Sequence, residues 1–567
     1  MLAIRGARRR AIDLLTQVNL PDPAAIFERY PHELSGGQQQ RILIAIAFSC
    51  DPELLIMDEP TTGLDVTTEA RILDLIAEMK ARHGPAILYI THNLGVVARF
   101  CDRVVVMYAG EVVEQGPVAR VFSRPRHPYS RGLLTCLPRL DWGKTDGPLR
   151  VIEGRLPSLL SPPRACVFES RCAERVLICG EQKPEAEEVP GGGSVRCFRW
   201  QDLAPFQFGG RARSDGSREA LPTVGPVLEI DDLCCYYPGR RTIAEILRGV
   251  SPRTVRAVDG VTLETARAGT LAVVGESGCG KTTLGRAVVG LRAPTAGQIR
   301  FEAREVPGLA RNRSRELRRR IQVIFQNPEA TLNPQKTIGE RLGRPLELFG
   351  LARGTERDRR VAELLGAVHL PEAYAGRYPH ELSGGEKQRV AIARAFAAGP
   401  EVIVCDEPLS SLDVSVQSAI LNLLVDLQRR SSTAYLFISH DLSVVRYLAD
   451  RIAVMYMGKL CETGTAAELF EPPYHPYTEA LLSAIPIPDP TTRQRKIRLE
   501  GPVPSPTAPG AGCRFHTRCP RKVGAICEQQ EPPVHEVGPG HQIHCHIALD
   551  ELGRVSPVVQ HRQEGQG

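Results

Sequence analysis

The chain has 567 residues, more than one hydrophobic core accommodates, so about two to four domains are expected. Its 71 basic against 65 acidic residues leave a net charge of +6, too even to indicate a nucleic-acid-binding protein. The sequence contains no apolar run of the roughly 18 residues that a membrane-spanning helix needs, and it begins without a secretion signal. We therefore expect a cytosolic protein, or one held at a membrane by a partner.

Two homologous units lie in tandem. The nine-residue sequence RYPHELSGG occurs at residues 29–37 and again at residues 377–385. The same separation of 348 positions relates His32 to His380, Asp58 to Asp406, and His92 to His440. Because Met1 then aligns with Phe349, the first unit has no counterpart of residues 227–348.

The first unit contains a helix start and two buried strands. Its LSGGQ segment contributes Ser35, Gly36, Gly37 and Gln38. A serine and two glycines before the apolar segment QQRILIAIAF predict a helix N-terminus that can bind an anion. The runs LLIMDEP and ILYITH are short and apolar, which indicates buried strands. The polar residues that follow these strands and their nearest turn are Asp58, Glu59, Asp65 and His92.

A phosphate-binding loop (P-loop) is predicted in the second unit. The apolar run LAVVG at residues 271–275 indicates a buried strand, and it leads through GxxxxGKT into the helical segment TTLGRAVVGL. In such a loop, backbone N–H groups face phosphate oxygens, Lys281 reaches the β- and γ-phosphates, and Thr282 offers its hydroxyl to Mg²⁺. The loop consists of Gly275, Glu276, Ser277, Gly278, Cys279, Gly280, Lys281, Thr282 and Thr283.

Three further strand ends supply groups for hydrolysis. The run EVIVCDEP ends in Asp406, which suits a Mg²⁺ ligand, and Glu407, which suits a general base for the attacking water. His440 ends the run YLFISH and could contact the γ-phosphate, although a lone histidine after a strand is more often structural. Gln326 follows the run VIF, where it could sense Mg²⁺ and the attacking water.

These motifs, in this order, resemble an ATP-binding-cassette (ABC) ATPase, and LSGGQ and LSGGE look like the signature of that family. The resemblance covers essentially the whole chain. It implies an α/β fold of the P-loop NTPase class and ABC ATPase type. Two cassettes would lie in tandem, each with a helical signature subdomain and a C-terminal cysteine-rich extension.

We expect the following domain bounds: 1–140 for a first cassette that lacks its P-loop and Q-loop part, 141–205 for the first extension, 206–226 for a linker rich in Gly, Ser and Pro, 227–488 for a complete second cassette, and 489–567 for the second extension and tail.

In this family the signature of one unit completes the ATP site of the other in a head-to-tail dimer. The resemblance therefore implies one composite site, in which the P-loop, Gln326, Asp406, Glu407 and His440 of the second unit face Ser35, Gly36, Gly37 and Gln38 of the first. Tyr237 would stack on the adenine, and Thr282, Gln326 and Asp406 would surround Mg²⁺. The second signature, with Ser383, Gly384 and Gly385, belongs to another site whose remaining groups are Asp58, Glu59, Asp65 and His92.

That second site has no P-loop in this sequence, and two interpretations stay open. The chain is a truncated record, or the first unit has degenerated to a donor of its signature. Truncation is favoured, because a unit relieved of hydrolysis has little need of both Glu59 and His92. The absent segment would carry core strands, so the first unit is expected to be incompletely packed.

A cysteine quartet follows each cassette. The first quartet is Cys166, Cys172, Cys179 and Cys197, and the second is Cys513, Cys519, Cys527 and Cys545. Four thiolates suit Zn²⁺ or a [4Fe–4S] cluster, whereas disulfides are disfavoured in the cytosol and unligated thiols remain an alternative. The nearby His541, His544 and His546 could replace a ligand. The family resemblance favours iron–sulfur.

The segments HPYS and HPYT, each followed by a quartet, resemble the ABC branch that imports dipeptides, oligopeptides and solutes such as nickel or glutathione. This implies an ATP-hydrolysing subunit at the cytoplasmic face of the plasma (inner) membrane. Its partners would be two transmembrane permease subunits, indirectly an extracytoplasmic solute-binding protein, and, if the asymmetry is real, a second ATPase chain. The alternatives are a soluble tandem ABC ATPase acting on nucleic acid or ribosomes, which the even charge disfavours, and a degenerate regulatory remnant.

Overall fold

The computed structural model of the protein describes residues 2–154, 157, 164–206, 225–239, 254–410, 412–489, 492–501, 504 and 510–560. The predicted linker, except for residues 206, 225 and 226, lies outside these ranges. None of the helices within them combines the length and the apolar character that crossing a bilayer requires.

An eight-stranded sheet forms the centre of the second unit. Its strand order is Ile321–Ile324, Val402–Asp406, Ala434–Ile438, Thr270–Val274, Arg451–Tyr456, Lys459–Thr465, His541–His544 and Val534–Gly538. The first five strands are parallel and the last three are antiparallel. Three of the parallel strands are buried along their whole length, which explains their uninterrupted apolar sequences. Because these strands run in one direction, their carboxyl ends meet at one edge, where ligands bind in such sheets.

An antiparallel sheet covers one face of this unit. Its strands lie in the order Arg304–Glu305, Ala296–Phe301, Pro226–Pro238 and Thr254–Ala266. Leu228, Ile230 and Val261 from this sheet share a buried core with Val404 and Leu436 of the central sheet. A short pair, Arg493–Gln494 with Val559–Gln560, lies apart from both sheets.

Helices surround these sheets. In the second unit they are Lys281–Val289, Arg315–Arg320, Pro328–Thr331, Ile338–Leu348, Gly354–Ala367, Gly384–Phe396, Val414–Ser431, Leu442–Leu448, Pro476–Ala484, Ile526–Gln529 and Leu549–Leu552. The signature helix Gly384–Phe396 packs against Ile338–Leu348 and Gly354–Ala367, which form a helical group beside the sheet.

The described strands of the first unit fall into two separate sheets. One is the parallel pair Leu54–Asp58 and Ala86–Ile90, and the other has the order Arg103–Tyr108, Glu111–Pro117, Ser194–Val195 and Glu187–Glu188. In the second unit the P-loop strand Thr270–Val274 pairs with Ala434–Ile438 on one side and with Arg451–Tyr456 on the other. It therefore joins into one sheet the strands whose counterparts form two sheets in the first unit. The helices are Leu2–Gln17, Pro23–Phe27, Gly36–Phe48, Val66–His83, Leu94–Phe100, Val118–Ser123, Pro128–Thr135 and Ile178–Glu181.

The two units pack against each other through the segment that follows the first cassette. Lys144 Nζ lies 2.7 Å from Asp450 Oδ2. Leu149 N donates to Asn422 Oδ1 at 2.9 Å, and Asn422 Nδ2 donates back to the carbonyl of Leu149 at 2.8 Å. This segment of the first unit therefore lies on helices of the second.

The HPY segments begin helices in both units. The imidazole Nδ1 of His127 accepts from Tyr129 N, and that of His475 accepts from Tyr477 N, each at 3.0 Å. Burial lowers the pKa of both histidines to about 3, so both rings are neutral, as acceptance at Nδ1 requires. The histidine of each HPY segment is thus a helix N-cap, a role that the sequence pattern had not revealed.

Candidate active site

The P-loop connects the strand Thr270–Val274 to the helix Lys281–Val289. Gly275 and Gly280 have φ angles of +149° and +113°. A Cβ at these positions would lie 2.1 Å from the carbonyl oxygen of Met455 and 2.0 Å from that of Ala257, respectively. Both positions therefore require glycine. The buried Lys281 donates through Nζ to the carbonyl oxygens of Gly275 at 2.7 Å and of Glu276 at 3.0 Å.

Two of the three residues predicted to surround Mg²⁺, Thr282 and Asp406, lie together beside this loop, whereas the third, Gln326, bonds to Glu407. Thr282 Oγ1 donates to Asp406 Oδ1 at 3.0 Å. Burial raises the pKa of Asp406, and the negative charge of Glu407 adds to the rise, while the bond from Thr282 opposes it. A hydroxyl and a carboxylate at the foot of a P-loop fit the oxygen preference of Mg²⁺.

Glu407 forms a cluster with the two other residues predicted to act on the attacking water. Gln326 Nε2 donates to Glu407 Oε2 at 2.9 Å, and His440 Nδ1 lies 3.4 Å from the same oxygen. Burial alone would raise the pKa of Glu407 and lower that of His440, but each group favours the charged form of the other. The result is a lowered pKa for Glu407 and a raised pKa for His440. The strand ends thus hold an ionised base beside two polar side chains.

The first unit reaches the P-loop through residues that follow its own strand Leu54–Asp58. Ser277 N donates to Asp65 Oδ2 at 3.1 Å, and Thr67 Oγ1 donates to the carboxylate of Glu276. Burial would raise the pKa of Asp65, but the hydrogen bonds it accepts outweigh this and lower it. The sequence had assigned Asp65 to the other site and had missed Thr67. The contacts of Asp65 and Thr67 with the P-loop depend on how the two units pack, which the sequence pattern does not reveal.

The signature serines cap their helices. Gln38 N donates to Ser35 Oγ at 3.4 Å while Ser35 N donates to Gln38 Oε1 at 3.0 Å, and Ser383 and Glu386 form the same reciprocal pair. Ser35 and Gly36 are exposed, as are Ser383 and Gly384. A Cβ would meet no atom within 4 Å at Gly36 or Gly384, whereas Gly37 and Gly385 lie close to Thr68 and Val416 of the following helices. The bonds that join the first unit to the P-loop run through Asp65 and Thr67, so the predicted contact of Ser35, Gly36, Gly37 and Gln38 with a nucleotide stays a prediction.

The polar pair of the first unit forms although its own sequence contains no P-loop. His92 Nδ1 lies 2.8 Å from Glu59 Oε1, and this bond lowers the pKa of Glu59. Asp58, the counterpart of Asp406, is exposed. Tyr237, near the end of the strand Pro226–Pro238, has the guanidinium carbon of Arg292 at 4.2 Å from its ring centroid. Its stacking on adenine stays a prediction.

The cysteine quartets do not form metal sites in the structure. Within the described ranges, no three or more His, Cys, Asp or Glu side chains are grouped so as to hold a metal ion. The cysteines concerned are Cys166, Cys172, Cys179 and Cys197, and Cys513, Cys519, Cys527 and Cys545, all with free thiols. Burial, together with the neighbouring thiols, raises the pKa of Cys172 and of Cys519 to about 12. The predicted iron–sulfur or zinc sites therefore have no support from the geometry.

Two family descriptions match the chain, each of them twice. The family described as "ABC transporter" matches residues 6–62 and 258–410. The family described as "Oligopeptide/dipeptide transporter, C-terminal region" matches residues 113–179 and 461–527, which contain the HPY segments and the first three cysteines of each quartet. The second family's two matches are 348 positions apart at both ends, and residues 6–62 correspond at the same spacing to the last part of the match at 258–410.

Curated relatives align along most of the chain. The "Oligopeptide transport ATP-binding protein OppD" of Mycobacterium bovis is 43% identical over 86% of this chain and 79% of its own length. The "Glutathione import ATP-binding protein GsiA" of Pectobacterium atrosepticum is 40% identical over 88% and 72%, and that of Escherichia coli O157:H7 is 40% identical over 94% and 74%.

A solved ATP-binding cassette, "MJ0796 bound to ADP and Pi", aligns at 27% identity and TM-score 0.37 over 42% of this chain and 98% of that chain. The curated relatives do not favour a protein that acts on nucleic acid or ribosomes. The chain belongs to the ABC ATPases of the oligopeptide and glutathione importer family.

Proposed function

We propose that the chain binds ATP with Mg²⁺ at the P-loop of the second unit, hydrolyses it there, and thereby drives the import of oligopeptides, glutathione or related small solutes. One observation carries the proposal: Lys281, the Thr282–Asp406 pair and Glu407 converge at one sheet edge, and Asp65 of the first unit bonds to the same loop. The names of the curated relatives support the solute class.

Each residue has a defined task in this proposal. Lys281 neutralises the β- and γ-phosphates, while Thr282 and Asp406 hold Mg²⁺, which stabilises the charge of the leaving phosphate. Glu407, ionised beside His440, accepts a proton from the water that attacks the γ-phosphorus. Gln326 bonds to the same carboxylate and orients both the base and the water. The positive end of the helix Lys281–Val289 adds to the attraction for the phosphates.

The contacts that cross between the units support a proposal for the coupling to transport. ATP would draw the first unit's signature, with Ser35, Gly36 and Gly37, onto the P-loop beside Asp65, and hydrolysis would release it. Two transmembrane permease subunits would convert this movement into alternating access, and a solute-binding protein outside the membrane would deliver the solute. The chain would accordingly lie at the cytoplasmic face of the membrane as a peripheral subunit.

The domain bounds 1–140, 141–205, 206–226, 227–488 and 489–567 are also part of the proposal. The bound at 488–489 separates sequence features, while the strands Val534–Gly538 and His541–His544 beyond it continue the central sheet of the second cassette. We therefore propose that each cassette and the segment that follows it fold together.

Metal binding by the quartets belongs to the proposal as well, supported by the repeated spacing of the cysteines in the sequence and by the suitability of four thiolates for Zn²⁺ or an iron–sulfur cluster. Iron, zinc and acid-labile sulfide are measured in the full chain purified without oxygen, beside Cys172→Ser and Cys519→Ser variants. About one ion or cluster per quartet, reduced in each variant, is expected; metal-free protein would refute it.

The test of the function is ATP hydrolysis by the full chain, alone and with its permeases. Lys281→Ala should abolish hydrolysis, because the phosphates lose their main cation. Ser35→Arg should block it too, since the bulky side chain obstructs closure onto the only P-loop of the sequence. The matched control Ser383→Arg should leave it intact. Hydrolysis that survives Lys281→Ala, or that is lost only with Ser383→Arg, would contradict the assignment.

A further inference from the structure

An arginine in the loop between Cys513 and Cys519 of the second quartet contacts the P-loop. Arg518 is next to Cys519, and its side chain is 1% exposed. Its Nη1 donates to Glu276 Oε2 at 2.6 Å, and its Nη2 donates to Glu276 Oε1 at 2.9 Å. Glu276 is the second residue of the P-loop, and its side chain is 2% exposed. A bidentate ion pair of this kind fixes both the position and the plane of the carboxylate.

The same glutamate is held at its backbone. Glu276 N donates to the hydroxyl of Tyr477 at 2.8 Å, and Arg518 Nη1 also donates to the hydroxyl of Tyr456 at 3.2 Å. The rings of Tyr456 and Tyr477 each lie 5.2 Å from the ring of Phe515, measured between centroids. The start of the P-loop thus rests on an aromatic platform with the arginine fork at its side.

The charge of Glu276 gives this contact a consequence for nucleotide binding. A buried carboxylate within a loop that takes a triphosphate would repel the phosphates unless a cation compensates it. Lys281 does not supply that compensation, because its ammonium group donates to the carbonyl oxygens of Gly275 and Glu276. Within the part of the chain that the structure describes, the cation paired with this carboxylate is Arg518.

A second arginine in the same cysteine loop makes a parallel contact. Arg514, next to Cys513, donates through Nη2 to Asp259 Oδ2 at 2.6 Å. Asp259 belongs to the strand Thr254–Ala266 and accepts from the hydroxyl of Tyr236 at 2.5 Å. The loop from Cys513 to Cys519 therefore touches two elements that the first unit does not contain.

The first unit shows what happens to the same positions without a P-loop. Arg171, the counterpart of Arg518, donates to the hydroxyl of Tyr108 at 3.4 Å, just as Arg518 donates to Tyr456. Its other nitrogens donate to the carbonyl oxygens of Ile152 at 2.7 Å and of Glu153 at 2.9 Å. The arginine and its tyrosine are thus retained, while the carboxylate partner occurs only where the P-loop occurs.

We propose that Arg518, in the loop between Cys513 and Cys519 of the second quartet, is a positioning residue of the ATP site. It neutralises Glu276 and fixes its position, so this loop holds the P-loop in its binding conformation. The inference rests on the proposed binding of ATP at that loop. Loss of the arginine leaves an uncompensated buried carboxylate beside the phosphates. Affinity for ATP should therefore fall more than the rate of the chemical step.

The test compares the full chain with Arg518→Ala, Arg518→Lys, the double variant Arg518→Ala with Glu276→Gln, and the control Arg171→Ala. Binding of a fluorescent ATP analogue with Mg²⁺ and steady-state hydrolysis are measured for each. Arg518→Ala should raise Kd and KM about ten- to a hundredfold with a smaller change in kcat, as a misplaced loop does. Arg518→Lys should recover part of the loss, and the double variant should recover most of it, because no unpaired charge remains. Arg171→Ala should bind as the unaltered chain does.

The outcomes separate this inference from the proposed function. Normal affinity in Arg518→Ala, or equal weakening by Arg171→Ala, would overturn the positioning role. A double variant as weak as Arg518→Ala would also overturn it, since removal of the unpaired charge of Glu276 should have restored binding. The double variant keeps the test decisive if Arg518→Ala alone fails to fold. An unaltered chain that binds no ATP would refute the proposed function itself, and this inference with it.

Discussion

The two units share their signature, DEP and histidine motifs, but only the second contains the P-loop and the layer around it. The strand residues that face the absent layer in the first unit are Leu54, Ile56, Leu88, Ile90, Val105 and Met107, between 46% and 61% exposed. Their counterparts Val402, Val404, Leu436, Ile438, Ala453 and Met455 are at most 1% exposed. The covering layer in the second unit comes from residues 226–305, which contain the P-loop.

The polar residues at the strand ends differ less between the two units than the apolar strand residues do. Both units form the glutamate–histidine pair, at 2.8 Å between His92 and Glu59 and at 3.4 Å between His440 and Glu407. Two neighbouring strand ends are sufficient to bring such a pair together. The aspartate one position before each glutamate differs between the units. Asp406 accepts a hydrogen bond from Thr282 of the P-loop, whereas its counterpart Asp58 is exposed. A glutamate–histidine pair can therefore form locally, whereas the Thr282–Asp406 contact requires the layer that contains the P-loop.

The largest effect is expected at the two equivalent glutamates. Glu407→Gln removes the base beside the P-loop and should lower kcat for ATP hydrolysis by about 10²- to 10⁴-fold. Glu59→Gln, the matched change in the first unit, should alter kcat by less than about twofold, because no P-loop of this sequence lies beside it. Steady-state hydrolysis at saturating ATP and Mg²⁺ measures both.

Nucleotide binding by Glu407→Gln serves as the control, since the substitution is nearly isosteric and leaves Lys281 and Thr282 in place. Unchanged affinity with lost turnover would assign the effect to the chemical step. A large loss of kcat in Glu59→Gln would show that the first unit also contributes a hydrolytic site, and the difference between the units would then be smaller than the sequence indicates.

A smaller effect on stability is expected at two equivalent leucines. Leu436 is fully buried and Leu88 is 51% exposed, although they occupy matching positions in their strands. Leu436→Ala should lower the free energy of unfolding by about 2–5 kcal/mol, through lost burial and the cavity that remains. Leu88→Ala should cost less than about 1 kcal/mol, because that face is already in contact with water.

Hydrogen exchange of the strands Ala434–Ile438 and Ala86–Ile90 measures the two changes separately in one chain. Greater loss of protection in the first strand is expected. An equal loss in both strands would mean that the exposed face of the first unit is covered in solution.

Much of the second unit could be predicted from the sequence, because its signals are local. The apolar runs LAVV, VIVC and YLFI are continuous, and each lies in a strand that is buried along its whole length. The pairing of Thr282 with Asp406 follows from the rule that parallel strands present their carboxyl ends at one edge. These features required only periodicity and motif spacing.

The contacts between distant segments could not be predicted in this way. Asp65 and Thr67 bond to the P-loop across about 210 positions of sequence, and Arg518 does so across 242. No periodicity marks these residues, since each partner lies in a loop or at a helix start. The internal repeat did contain one usable signal: Arg171 and Arg518 occupy matching positions, and a comparison of the two units could have drawn attention to them.

The smallest effect is expected for a pair of oppositely charged surface residues whose signs are exchanged between the two units. Lys459 contacts Glu531 in the second unit, and at the matching positions Glu111 contacts Lys183 in the first. An exchange of both signs preserves the attraction, which indicates that the two positions are in contact in each unit.

Lys459→Glu alone should destabilise the protein by about 0.2–1 kcal/mol, because Glu531 is 65% exposed and solvent screens the new repulsion. The reversed pair, Lys459→Glu with Glu531→Lys, should regain that loss, and the first unit already has this arrangement. The comparison is made by urea denaturation at low salt and at about 1 M salt, where the Debye length is about 3 Å and the difference should vanish. Additive effects of the two substitutions at low salt would show that the side chains do not interact, and that the exchanged signs arose independently.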